Sequence, residues 1–146
     1  MVISNNHEYF MNVCLELANK SFLENEVPVG SVIVKDEKII GHGRNLVNST
    51  RCPTDHAEII AISEASRYLK NWRLIDCDIY VTLEPCMMCV GAINNSRIRR
   101  IIYGAKNNNF GAIEYIKKGI DIVPSILEEK SSEILRKFFC NIRNTC

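Results

Sequence analysis

Apolar positions along the chain follow two periods, one typical of helices and one typical of strands. Phe10, Val13, Cys14 and Leu17 recur at helical spacing near the beginning of the chain. The helical pattern predicts helices at about residues 7–24, 56–70, 86–96 and 127–142. Short apolar runs between turn signals predict strands at residues 31–34, 38–41, 78–83, 98–103 and 120–123.

The order of these elements indicates the fold class. Asp36 and Glu37 form a short polar turn between the first two strands, which favours an antiparallel hairpin. Helices separate the later strands, which favours a sheet that is parallel in its second half. We therefore expect an α/β domain with a mixed five-stranded sheet and helices on both faces. After the hairpin, Gly41, Gly43 and Asn45 predict an irregular backbone that leads into a loop.

Length and composition are those of an ordinary globular domain. The chain has 146 residues, of which 47% are hydrophobic and 24% charged, with a net charge of +1. We expect one domain over residues 1–146. The small net charge gives no overall attraction to nucleic acid, so any such binding requires local basic patches. Residues 97–118 contain six basic residues and one acidic residue, which fits either an RNA-binding surface or a solvated rim.

Cysteine use and the first residues bear on the compartment. The chain has seven cysteines, and its N-terminal residues lack a secretory pattern. No apolar run approaches the ~20 residues of a membrane span. We expect a cytoplasmic protein without a membrane segment, in which Cys14, Cys52, Cys77, Cys140 and Cys146 are free thiols.

Three residues have the types and spacing of transition-metal ligands. Cys86 and Cys89 are three apart, so both sulfurs face one side of a helical turn. Pro85 stops the preceding strand and suits a helix start. His56 lies at the start of another predicted helix, after the signal Pro53-Thr54-Asp55. Three protein ligands leave a coordination position for water, as in catalytic zinc sites.

Glu58 is badly placed to be a fourth ligand but well placed for proton transfer. It lies two residues after His56, whereas chelating pairs on a helix use spacings of three or four. A structural reading is that Glu58 caps the helix as a partner of Asp55. A second alternative adds Cys52 as a fourth ligand, which would close the site and make the zinc structural. Cys52 precedes Pro53 and is therefore expected to lie outside the helix.

The residues His56-Ala57-Glu58 and Pro85-Cys86-Met87-Met88-Cys89 match the H-x-E and P-C-x-x-C signature of the zinc nucleobase deaminases. Further segments resemble the bacterial tRNA adenosine deaminases of that superfamily, over roughly residues 7 to 143. These segments are residues 26–30, Asn45, residues 53–54, 73–76, 82–86, 96–98 and 103–105.

The resemblance implies a three-layer cytidine-deaminase-like domain that forms a homodimer. It implies conversion of adenosine to inosine at position 34 of a tRNA anticodon stem-loop. His56, Cys86 and Cys89 would hold one Zn²⁺ per subunit, and Glu58 would be the catalytic proton shuttle. Asn45, Val27 and Asn107 match substrate-contacting positions.

Some positions depart from the family pattern. Asn107 replaces an acidic residue, which bears on discrimination between RNA and DNA. The C-terminal helix, which carries Arg136, Lys137, Phe138 and Phe139, is poorer in basic residues than in relatives. Two other functions remain open: a deaminase of a free base or nucleoside, and a non-catalytic RNA-binding module stapled by zinc.

Overall fold

A five-stranded mixed sheet forms the centre of the computed structural model, which describes residues 3–143 and the side chains of residues 6–142. The strands are β1 (Gly30–Lys35), β2 (Lys38–Arg44), β3 (Cys77–Leu83), β4 (Arg100–Ala105) and β5 (Asp121–Val123), in the order β2-β1-β3-β4-β5. The helices are α1 (Ile3–Leu23), α2 (Val47–Thr50), α3 (Ala57–Leu69), α4 (Met87–Asn95) and α5 (Glu128–Arg143), with a 3₁₀ turn at Ile113–Tyr115.

The first two strands form the expected antiparallel hairpin. Asp36 and Glu37 both have positive φ angles, 51° and 62°, as a type I′ turn requires. β1 also pairs antiparallel with β3, whereas β3, β4 and β5 run parallel. The prediction of a mixed sheet that is parallel in its second half is therefore confirmed.

Alternate residues of the central strands supply two hydrophobic cores, one on each face of the sheet. Ile33, Ile79 and Ile101 face α3 and α4. Val32, Tyr80 and Ile102 face α1, in a core that α5 also borders. This alternation places helices on both faces and produces three layers.

Two expectations from the sequence are wrong. The second strand does not end at Gly41 but continues through Gly43 to Arg44, and the absence of side chains at both glycines lets α3 pack directly on β2. A Cβ atom at Gly43 would overlap the backbone carbonyl oxygen of Ala57, the first residue of α3. Cys140 is disulfide-bonded, not a free thiol, while Cys14, Cys52 and Cys77 are free as expected. Cys146 lies outside the described residues.

Across residues 3–143, none of the helices combines the length and the apolar character that crossing a membrane would require.

Candidate metal centre and active site

The metal-ligand candidates lie where two helices begin. His56 is the residue immediately before α3, and Cys86 is the residue immediately before α4. Both have extended backbone conformations, and neither caps its helix through a side-chain hydrogen bond. Cys89 lies in the first turn of α4 and is fully buried. The start of α3 and the segment after β3 thus bring His56 and Cys86, 30 positions apart, to one point.

The three side chains form a compact donor set. Nδ1 of His56 lies 3.6 Å from the sulfur of Cys86 and 3.6 Å from the sulfur of Cys89. A tetrahedral zinc with Zn–S of about 2.3 Å and Zn–N of about 2.0 Å places N and S about 3.5 Å apart. All three ligand atoms lie within 4.8 Å of one another. The donor types and spacing therefore fit zinc.

Cys52 is not part of this group. Among the described residues, the cluster that could hold a metal contains only His56, Cys86 and Cys89. The sulfur of Cys52 lies instead 3.2 Å from the hydroxyl oxygen of Thr54. The donor set therefore has three members, as the open-site interpretation requires.

Electrostatic coupling favours a thiolate at the centre. Hydrogen bonds from Cys89 and His56 lower the pKa of Cys86 to about 3. The hydrogen bond between His56 and Cys86 raises the pKa of His56. A separate hydrogen bond between Cys89 and Cys86, together with burial, raises the pKa of Cys89. Without a metal, Cys86 is thus the group that ionises most easily, while His56 and Cys89 each hold their protons more tightly. Metal binding must displace such protons, as it does in other thiolate sites.

Glu58 lies beside these ligands in a buried position. Its side chain is 4% exposed, and burial raises the pKa of its carboxyl group to about 7. The negative charge of Cys86 adds to this increase, whereas the positive charge of His56 and a hydrogen bond from Cys89 oppose it. A carboxyl group with a pKa near 7 both accepts and releases protons at neutral pH.

The helix-cap interpretation of Glu58 is wrong. His56, not Asp55, is the residue that precedes α3, so Glu58 is the second helical residue instead of the third. The carboxylate of Glu58 is buried next to the metal ligands.

A cavity of about 590 Å³ opens beside His56, Glu58 and Cys86. All three predicted substrate contacts line it, namely Val27, Asn45 and Asn107. The sequence predicted no substrate contact for several other lining residues: Val29, Leu83, Glu84, Phe110 and Leu135. Phe110 gave no signal because it stands alone in a polar loop, yet it lines the cavity and is 73% exposed.

A buried carboxylate organises the side of the cavity that carries Asn45. Glu26 is 1% exposed and accepts hydrogen bonds from the backbone N–H groups of Asn48 and Ser49 and from the Ser49 hydroxyl. Oδ1 of Asn45 accepts a hydrogen bond from the N–H of Val47 at 3.0 Å. Because its oxygen is engaged in this turn, Asn45 has its amide N–H₂ group available for a ligand.

The basic segment 97–118 does not form a single surface. Arg99 and Arg100 form ion pairs with Asp78 at the start of β3 and β4, whereas Lys106 lines the cavity at the other end of β4. The six residues of β4 separate these ends by about 17–20 Å. In α5, Phe138 is buried in the core and Phe139 borders the cavity.

The comparisons with known proteins agree with this site. Residues 4–105 match the family described as the cytidine and deoxycytidylate deaminase zinc-binding region. The chain therefore belongs to this family of zinc-dependent deaminases. Zinc is thus its cofactor, and His56, Cys86 and Cys89 are positioned to bind it.

Individual relatives show which activities occur among similar proteins. A tRNA-specific adenosine deaminase of Buchnera aphidicola is 43% identical over 96% of this chain and 98% of that protein. A structure from a study of A-to-I editing by tRNA:A34 deaminases has a TM-score of 0.83 and 38% identity, covering 87% and 99% of the two chains. A guanine deaminase from Bacillus subtilis has a TM-score of 0.68 and 38% identity, covering 72% and 71%. The chain is similar to both classes of enzyme, and the mixed α/β fold is common to them.

Proposed function

We propose that this protein deaminates the adenosine at wobble position 34 of a tRNA anticodon to inosine. The observation that carries the proposal is the open His56, Cys86 and Cys89 donor set beside the buried Glu58. The named activity of the Buchnera relative and of the A-to-I editing structure supports this substrate. A base in an anticodon loop can be splayed out to reach a recessed site, whereas a base within a duplex cannot.

The chemistry follows from the residues around the cavity. Bound zinc supplies the Lewis acidity that makes water a nucleophile near neutral pH. Glu58 accepts a proton from the attacking water and passes it to N1 of adenine, which makes C6 electrophilic. The water oxygen bonds to C6, and Glu58 transfers the second proton to the amine. The C6–N bond then breaks, and inosine and ammonia are released.

We assign the substrate contacts to three residues that line the cavity. Asn45 donates its amide N–H to an acceptor atom of the purine, since its oxygen is already bonded to Val47. Val27 packs against the base as an apolar wall. Asn107 contacts the nucleotide from the loop after β4. With an amide in place of an acidic group, it offers a donor to the ribose.

We also propose that the protein is a cytoplasmic homodimer. The resemblance to the tRNA adenosine deaminases supports this assembly. Trp72, Met87 and Tyr115 are each more than half exposed. Burial of these large apolar side chains in a dimer interface would be favourable. Sedimentation equilibrium should give twice the mass of 16.6 kDa, and a monomer at micromolar concentration would contradict the proposal.

The second candidate is deamination of a free base, which the likeness to guanine deaminases favours. The decisive assay incubates the zinc-loaded protein separately with an anticodon stem-loop containing A34, free adenosine, guanine and cytosine. We expect inosine from the stem-loop and no turnover of the free compounds. Release of ammonia from guanine, with the stem-loop unchanged, would replace our proposal by the second candidate.

A further inference from the structure

A buried carboxylate outside the donor set holds the loop that follows β4. Glu84, the first residue after β3, is 4% exposed. Its Oε1 accepts a hydrogen bond from the backbone N–H of Asn107, and its Oε2 accepts one from Ile113, both at 3.1 Å. These two donors lie at opposite ends of the loop, so one side chain fixes both of its ends.

Backbone contacts join the same loop to the segment that carries the metal ligands. The N–H of Glu84 donates to the carbonyl oxygen of Ala105 at 2.8 Å, and the N–H of Ala112 donates to Pro85 at 3.0 Å. Gly111 forms an isolated bridge with Cys86. Residues 105–113 and 84–86 therefore behave as one unit, with Glu84 at its centre.

The loop packs tightly against this carboxylate at Gly111. A Cβ atom on Gly111 would overlap both the carboxyl carbon and Oε2 of Glu84. Within the loop, Oδ1 of Asn107 accepts the N–H of Phe110 at 3.1 Å, and the carbonyl oxygen of Asn107 accepts the N–H of Gly111 at 3.0 Å. The position of Phe110 thus depends on Asn107, which in turn depends on Glu84.

We propose that Glu84 is a positioning residue that fixes Asn107 and Phe110 at the cavity and thereby sets substrate affinity. The kinetic part of this inference rests on the proposed function. Glu84 acts through the loop, and it does not take part in proton transfer. Its position two residues before Cys86 keeps the substrate-facing wall in register with the metal centre.

The chemistry of the two hydrogen bonds suggests the test variant. A carboxylate accepts a hydrogen bond on each oxygen, whereas an amide has one accepting oxygen and one donating N–H₂ group. Glu84→Gln therefore leaves either Asn107 or Ile113 facing a donor in a buried place. Losing one such bond corresponds to about a tenfold change in the local opening equilibrium. Gly111→Ala disturbs the same contact from the opposite side.

The experiment compares Glu84→Gln and Gly111→Ala with the wild type and with Glu114→Gln. Glu114 is an exposed carboxylate at the end of the same loop. This control therefore removes an equal charge and leaves the two hydrogen bonds of Glu84 in place. Hydrogen exchange followed by mass spectrometry should show protection of residues 106–113 reduced about tenfold in the two test variants alone. On the stem-loop, KM should rise about tenfold while kcat changes little and the zinc content stays at the wild-type level.

Unchanged exchange in residues 106–113, or loss of protection across the whole sheet, would overturn the proposal. So would a loss confined to kcat or to zinc content, since either would give Glu84 a different role. The exchange measurement does not depend on turnover. If the wild type failed to deaminate the stem-loop, the proposed function would be wrong. The exchange data would still test whether Glu84 holds the loop.

Discussion

At the scale of single residues, burial and position along a helix decide what each candidate does. Glu58 and Glu64 both lie on α3, yet their surroundings differ. Glu58 is buried beside the metal ligands, whereas Glu64 accepts a hydrogen bond from the backbone N–H of His42 at 2.9 Å. These surroundings suit the proposed role of Glu58 as a proton carrier and give Glu64 a structural role.

Replacing Glu58 tests this assignment. Glu58→Gln preserves size but cannot carry a proton, so we expect kcat to fall by ~10²–10⁴-fold or more, because one group performs several transfers. Zinc content should remain equal to that of the wild type, since Glu58 is not a ligand. Glu64→Gln is the matched control and should keep most of the activity. Near-normal turnover by Glu58→Gln would refute its role as the proton shuttle.

Cys52 provides a second test at this scale. Because its sulfur is outside the donor set, Cys52→Ala should retain full zinc content and activity. Cys89→Ala should lose both, since a ligand in the buried cluster is removed. Metal analysis of the purified variants by atomic absorption measures the difference. Loss of zinc from Cys52→Ala would instead support a closed structural site.

At the scale of elements, the close approach of α3 to β2 determines where His56 and Glu58 lie. Gly43 in β2 lies against the first turn of α3, and the small residues Ala57, Ala61 and Ala65 form the facing side of the helix. Small residues on both sides let the two backbones come close. A displacement of the start of α3 would move both His56 and the proposed proton shuttle Glu58.

Gly43→Ala tests this packing. The added methyl group would overlap the carbonyl oxygen of Ala57, so we expect a loss of about 1–3 kcal/mol in the free energy of unfolding. The start of α3 should shift, and kcat should fall with it. Urea denaturation and single-turnover kinetics measure the two effects. Gly91→Ala is the control, because a Cβ there meets nothing within 4 Å, and a helix interior favours Ala over Gly.

At the scale of the whole molecule, the packing of the sheet and its two cores does not involve the metal ligands. The buried clusters on the two faces contain no metal ligand. Zinc joins only the beginnings of α3 and α4, beyond the end of β3. The domain should therefore fold without zinc, but less stably than with it.

Removal of zinc by a chelator tests this prediction. Circular dichroism should retain the α/β signal, while the melting temperature falls and returns when zinc is added back. A ligand present at 100 times its Kd stabilises the folded state by about 2.7 kcal/mol. Complete unfolding on chelation would show that the cores are insufficient alone. An unchanged melting temperature would show that the metal contributes no stability.

Much of this molecule follows from local sequence patterns. The hairpin turn at Asp36-Glu37, the parallel later strands and the ligands after β3 are all confirmed. Helix ends are correct to within a few residues, and α2 was missed because four residues carry no periodic signal. The cavity wall was missed in large part, since nothing in the sequence indicated that Glu84 and Phe110 line it.

The sequence by itself determined the ligand types, their spacing and the alternation of strands and helices, because these depend on neighbours along the chain. Tertiary structure alone decided that Cys52 stays outside the donor set, that Glu58 is buried and that Arg99 and Arg100 pair with Asp78. It also decided that Glu84 closes the loop after β4. Each of these outcomes depends on contacts between residues far apart in sequence. Such contacts form only when the sheet brings the segments together.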